Sequence, residues 1–192
     1  RGGLLLVANH DGIADATLLA TASPRPVRVV SEGGVLPAAW QRLSGATGRI
    51  VVEDEAAAES AIREAVAFLS AGDAVGMFPE GPLAARAESG RCTLPGAGYV
   101  QVRSGVPILP VALLGTHGAR PTDPPRPRAE IDLVFGDPFL PKAPADPFSR
   151  AGILGVAEEI RQRLADHVAI ARARTARADV PSIDGAREDG AS

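Results

Sequence analysis

His10 and Asp15 stand five positions apart, directly after an apolar run, and this pairing can form a base and its orienting partner. A hydroxyl is a poor nucleophile unless its proton is removed during the attack, and imidazole suits that task because its ordinary pKa lies near neutrality. A carboxylate on the other ring N–H would fix the tautomer and stabilise the imidazolium that forms. The geometry requires residues 10–15 to wrap from a strand end into the first turn of a helix. The free N–H groups of that helix start would then face developing negative charge. The spacing alone leaves a second reading open, in which Asp11 caps the helix and His10 merely packs.

About seventy residues later, Phe78-Pro79-Glu80-Gly81 follows a second apolar run. Proline before a turn glycine is ordinary punctuation, but a glutamate fixed between them at a strand end is less so. Glu80 can hold substrate hydroxyls, position a cationic group, or cap the segment that follows.

The elements that must position these residues follow from periodicity. Leu4–Ala8 is continuously apolar, the mark of a strand buried on both faces. Strands are also expected at Pro26–Val30, Ile50–Val52, Ala74–Phe78, Val106–Leu114 and Ile131–Phe135. Helices are expected at Asp15–Thr21, with Leu18 and Leu19 inward, and at Leu36–Leu43, with Trp40 inward. Further helices are expected at Ala56–Ser70, on an Ile62, Val66, Leu69 stripe closed by Gly72, at Tyr99–Arg103 and at Ile153–Ala173. Arg86–Gly98 and the Pro-rich Arg120–Arg128 read as loops. Pro107 and Pro110 each remove a ladder donor, so their strand should lie at an edge or carry a bulge.

Strands alternating with helices predict an α/β class, a single domain with a mostly parallel or mixed central sheet flanked by helices. Ligands of such sheets bind beyond the carboxyl ends of the strands. His10 and Glu80 each follow a strand directly, so both fall on one rim. The domain is expected to span 1–174, with its N-terminus truncated ahead of Arg1 and a disordered polar tail at 175–192.

Composition narrows the classes. The net charge of −3 gives no case for nucleic acid, and the single cysteine, Cys92, excludes a disulfide framework. His and Cys show no metal-ligand spacing, and no cofactor is expected. A run of about 18 apolar residues is lacking, so no spanning helix is expected. The last helix carries an apolar stripe of Ile153, Val156, Ile160, Leu164, Val168 and Ala171 opposite Arg161, Arg163, Arg172 and Arg174. It suits a seam against the sheet or an interfacial helix on anionic lipid.

In four ordered blocks over about residues 2–140, the chain resembles the glycerolipid acyltransferases, the group that includes 1-acylglycerol-3-phosphate and glycerol-3-phosphate acyltransferases. The blocks are Asn9-His10 with Asp15 (the HX4D motif), Gly48–Val52, Phe78–Gly81 and Val106–Ala112. The resemblance implies a glycerolphosphate-acyltransferase-like fold and an acyl thioester donor on coenzyme A or acyl carrier protein as co-substrate. It also implies a hydroxyl acceptor on a lysophospholipid or glycerol phosphate. It makes His10 the general base and Asp15 its partner, with Glu80, Gly81, Pro79 and Phe78 at the acceptor. It further implies peripheral association with the cytoplasmic face of a membrane, in a bacterium.

Two departures from the family pattern bear on the acceptor. The family's second block carries an arginine just after its strand, where this chain has Glu53 and Asp54, which would repel a phosphate. The third block continues Pro82-Leu83-Ala84-Ala85, with Arg86 only later, so Arg86 or Arg91 must restore any phosphate contact from the loop. An acceptor other than lysophosphatidic acid is therefore expected. The alternatives are a non-catalytic lipid-binding domain of the same fold and an acyl-thioester hydrolase. A serine hydrolase is disfavoured, because no Gly-x-Ser-x-Gly elbow is present.

Overall fold

The structure, a computed structural model, describes residues 2–32, 48–52, 55–80, 96–120, 123–147 and 149–175. The helix expected at Leu36–Leu43 with Trp40, the carboxylates Glu53 and Asp54, and the tail beyond Thr175 lie outside the described residues. So do Gly81, Arg86, Arg91 and Cys92.

Six strands form the sheet: β1 (Leu4–Ala8), β2 (Val27–Glu32), β3 (Ile50–Val52), β4 (Ala74–Met77), β5 (Ile108–Leu114) and β6 (Asp132–Phe135). The helices are α1 (Asp15–Ala22), α2 (Glu55–Ser70), α3 (Gly96–Ser104) and α4 (Arg150–Arg174). The strand order is β3-β2-β4-β1-β5-β6, parallel except for β6, which pairs antiparallel with β5. The expected α/β domain with a mixed sheet is thus what forms.

Side-chain alternation along β1 builds a core on each face. Leu5 and Val7 join Ala61, Ala65 and Leu69 of α2, Val100 of α3 and Ile160 of α4. Leu6 and Ala8 join Leu19 and Ala20 of α1 on the other face. The right-handed crossover rule accounts for this division. The chain moves one way along the sheet from β1 to β2 through α1, and the other way from β3 to β4 through α2 and from β4 to β5 through α3. Opposite movements with one handedness put the helices on opposite faces.

Two expectations needed correction. The buried line of α2 is Ala61, Ala65 and Leu69, whereas Ile62 and Val66 are only half-buried at its flank. The small alanines let the helix axis approach the sheet, and the larger residues fill the sides. Helix α3 begins at Gly96, inside the segment expected to be loop. Packing overrides the low helix propensity of glycine there: a Cβ on Gly98 would stand 2.7 Å from the Ile153 carbonyl oxygen and 2.9 Å from the Ala157 Cβ, so glycine permits the close crossing with α4.

Of the two alternatives for the proline-bearing strand, β5 takes the bulge, being internal despite Pro110. The carbonyl of Pro110 accepts from Gly136 N, so its backbone faces the β6 side. Val111 pairs with Phe135 while Ile108 bridges Phe139, so Leu109 and Pro110 face three residues, Gly136 to Pro138. This extra residue is the expected bulge, displaced onto the facing segment. The missing N–H falls there, and the β1 ladder stays intact.

The stripe on α4 is a seam. Val156, Ile160, Leu164, Val168 and Ala171 are buried, the last three against Ala112 and Leu114 of β5. On the opposite side Arg161 pairs with Glu158 and Arg163 with Glu159. No helix among the described residues is long and apolar enough to cross a membrane.

Candidate active site

Adjacent strands β1 and β4 are followed by segments that lead to opposite faces, α1 on one side and α3 on the other. A crevice opens at such a switch point, beyond the carboxyl ends of the strands. His10 and Glu80 lie in the segments that follow these two strands.

Asp15 is fully buried, an unusual place for a carboxylate. Its Oδ2 explains the burial by accepting three hydrogen bonds: from the Asp11 N–H at 2.7 Å, the Gly12 N–H at 2.8 Å and His10 Nδ1 at 2.8 Å. Because a carboxylate only accepts, Nδ1 carries the proton in this contact and Nε2 is the ring nitrogen turned to other uses. Oδ1 has no hydrogen-bond partner among the described residues.

The competing cap reading does not hold. The residue preceding α1 is Ala14, with no side-chain cap, and the Asp11 side chain points elsewhere. The N–H groups of Asp11 and Gly12, just ahead of α1, both aim at the Asp15 carboxylate.

The His10 ring stacks on Phe78, with centroids 4.2 Å apart and planes inclined by 19°. The His10 N–H also donates to Glu80 Oε2 at 3.4 Å. Phe78-Pro79-Glu80 thus contacts the imidazole with its aromatic ring and the His10 backbone with its carboxylate. The two motifs expected to share a site do so. Gly81 and Arg86 cannot be placed with them, being outside the described residues.

Arg49 donates from Nε and Nη2 to Ser31 Oγ at 3.1 and 2.8 Å. Burial lowers its pKa from the ordinary arginine value. It is tied to β2, which β4 separates from β1.

Asn9 directly precedes His10 in the first block. It is 4% exposed, donates from Nδ2 to the Leu113 carbonyl and accepts the Leu113 N–H on Oδ1, both at 2.8 Å. Its side chain thereby extends the β1–β5 pairing beyond the last strand residue. The signal was available: an amide directly after a buried strand can replace a backbone pair.

Gly12 fixes a second junction. A Cβ there would lie 2.5 Å from the Thr116 carbonyl oxygen, a backbone atom with little room to yield. Gly12→Ala is expected to destabilise the fold by about 1–3 kcal/mol. Thermal unfolding should show a Tm lower by roughly 3–10 °C. An unchanged Tm would mean the loop relaxes freely.

The fold and site define an α/β protein with a half-buried histidine on a buried carboxylate at a sheet switch point. Residues 1–114 match the family described as Acyltransferase, more than half of the chain, and the chain belongs to that family. Among solved structures it is similar to the 1-acyl-sn-glycerophosphate (LPA) acyltransferase PlsC from Thermotoga maritima. The TM-score is 0.56 at 22% identity, over 88% of this chain and 67% of that one, a likeness of fold. No curated protein sequence matches the chain.

Proposed function

We propose that the chain transfers a fatty acyl group from an acyl thioester, on coenzyme A or acyl carrier protein, to a hydroxyl of a lysophospholipid or glycerol-phosphate-type acceptor, with His10 as general base. The observation that carries this reading is the 2.8 Å contact of His10 Nδ1 with buried Asp15, at a rim shared with Glu80. Nε2 takes the acceptor hydroxyl proton as its oxygen attacks the thioester carbonyl carbon. The tetrahedral intermediate collapses with cleavage of the C–S bond, and His10 returns the proton to the leaving thiolate. Asp15 holds the ring and stabilises the imidazolium. Glu80, with Phe78, Pro79 and Gly81, borders the acceptor, and Arg86 serves an acceptor phosphate where one is present. The fold-level likeness to PlsC supports a lysolipid acceptor, which calls for peripheral contact with a membrane, placed at the cytoplasmic face. Glu53 and Asp54 weigh against lysophosphatidic acid itself.

The test is thiol release from long-chain acyl-CoA and acyl carrier protein with a panel of lysolipids. Release that requires an acceptor is expected, with lysophosphatidic acid a poor one. Free acid formed without any acceptor would make the chain a hydrolase. Retained lipid binding with no release from either donor would make it a binding domain.

A further inference from the structure

The turn carrying His10 is held from a direction that the base–carboxylate pair does not use. Asp11 Oδ2 accepts from Asn9 Nδ2 at 2.9 Å and lies 3.7 Å from Arg172 Nη2, in the last turn of α4. The Asp11 backbone N–H meanwhile donates to the same Asp15 oxygen that holds His10 Nδ1. One residue is therefore tied by its side chain to α4 and by its backbone to the partner of the base. Arg172 is 29% exposed and Asp11 15%, so their attraction is less screened than in most surface pairs. The favourable field at a helix C-terminus also holds the guanidinium in place.

We propose that Arg172 is a positioning residue: through Asp11 it fixes the turn that sets the His10 imidazole against Asp15. The inference rests on reading His10 as the base. It extends the site into α4, beyond residues 1–114 of the family match. A fixed turn keeps Nδ1 on Oδ2, whereas a loosened one lets the ring rotate out of line, and small misplacements of a base lower the rate steeply.

The experiment follows the hydrogen-bonded Nδ1–H proton of His10 by NMR in the full 192-residue chain, with no substrate present. In Arg172→Gln its exchange with water should quicken about tenfold, with Tm nearly unchanged. Arg172→Lys should restore part of the protection. Asp11→Asn should reproduce the effect, and the double variant should be no worse than either single one, as for residues acting through one contact. Arg163→Gln, on the same helix but paired with Glu159, serves as the control. In the acyl-transfer assay Arg172→Gln should lower kcat about three- to tenfold with KM unchanged. Unchanged Nδ1–H exchange in both Arg172→Gln and Asp11→Asn would overturn the proposal, as would equal loosening in Arg163→Gln. Because the NMR readout needs no acyl acceptor, a failure of the functional reading would leave this result standing on its own.

Discussion

Replacing His10 with alanine is expected to lower acceptor-dependent thiol release by about 100- to 10,000-fold while the protein stays folded. The size of the effect follows from the chemistry, since an unassisted hydroxyl is a poor nucleophile toward a thioester. The survival of the fold follows from the packing. The His10 side chain is 16% exposed, and beyond Asp15 it stacks on Phe78. Losing such a stack costs about 0.5–1.5 kcal/mol, a minor part of a typical domain's stability of about 5–15 kcal/mol. A melting curve beside the rate measurement separates the two effects. Activity within threefold of the parent, in a folded variant, would remove His10 from the mechanism. A loss confined to KM would assign it to binding.

Much of this arrangement was legible in the sequence, and for a physical reason. Parallel strands buried on both faces read as unbroken apolar runs, so Leu4–Ala8 and Ala74–Met77 stand out. Residues that directly follow such strands must lie on the carboxyl rim. That places His10 and Glu80 on the same edge, and the adjacency of β1 and β4 then brings them into contact. Strand order itself is set by long-range packing and cannot be read from local pattern. The same limit hid Arg172, whose partner Asp11 lies 161 positions earlier and whose helix looked amphipathic in the ordinary way. It also hid the early start of α3, because the demand for glycine at position 98 comes from α4. For β5 the prolines left an edge or a bulge open, and the choice between them depended on the facing segment, which carries the extra residue.

Asp15 carries the second large effect, and there the choice of substitution decides what is learned. Asp15→Ala would leave the Asp11 and Gly12 N–H groups and His10 Nδ1 facing a void in a fully buried place. Unmet buried donors cost about 1–3 kcal/mol each, so the variant is expected to lose much of its stability and to report little about catalysis. Asp15→Asn keeps the volume. Its amide oxygen can take the place of Oδ2 and accept the same three donors, while its NH2 replaces Oδ1, which has no partner among the described residues. The stability loss should then be about 1–3 kcal/mol, from one unsatisfied buried amide group. The rate should still fall by about 100- to 10,000-fold, because a neutral amide does not stabilise the imidazolium as a carboxylate does. Combining Asp15→Asn with His10→Ala should add almost nothing to His10→Ala alone, since the two residues act as a unit. Multiplicative losses in the double variant would show that Asp15 acts apart from His10. The carboxylate would then affect the rate through the loop it anchors, and not through the His10 ring.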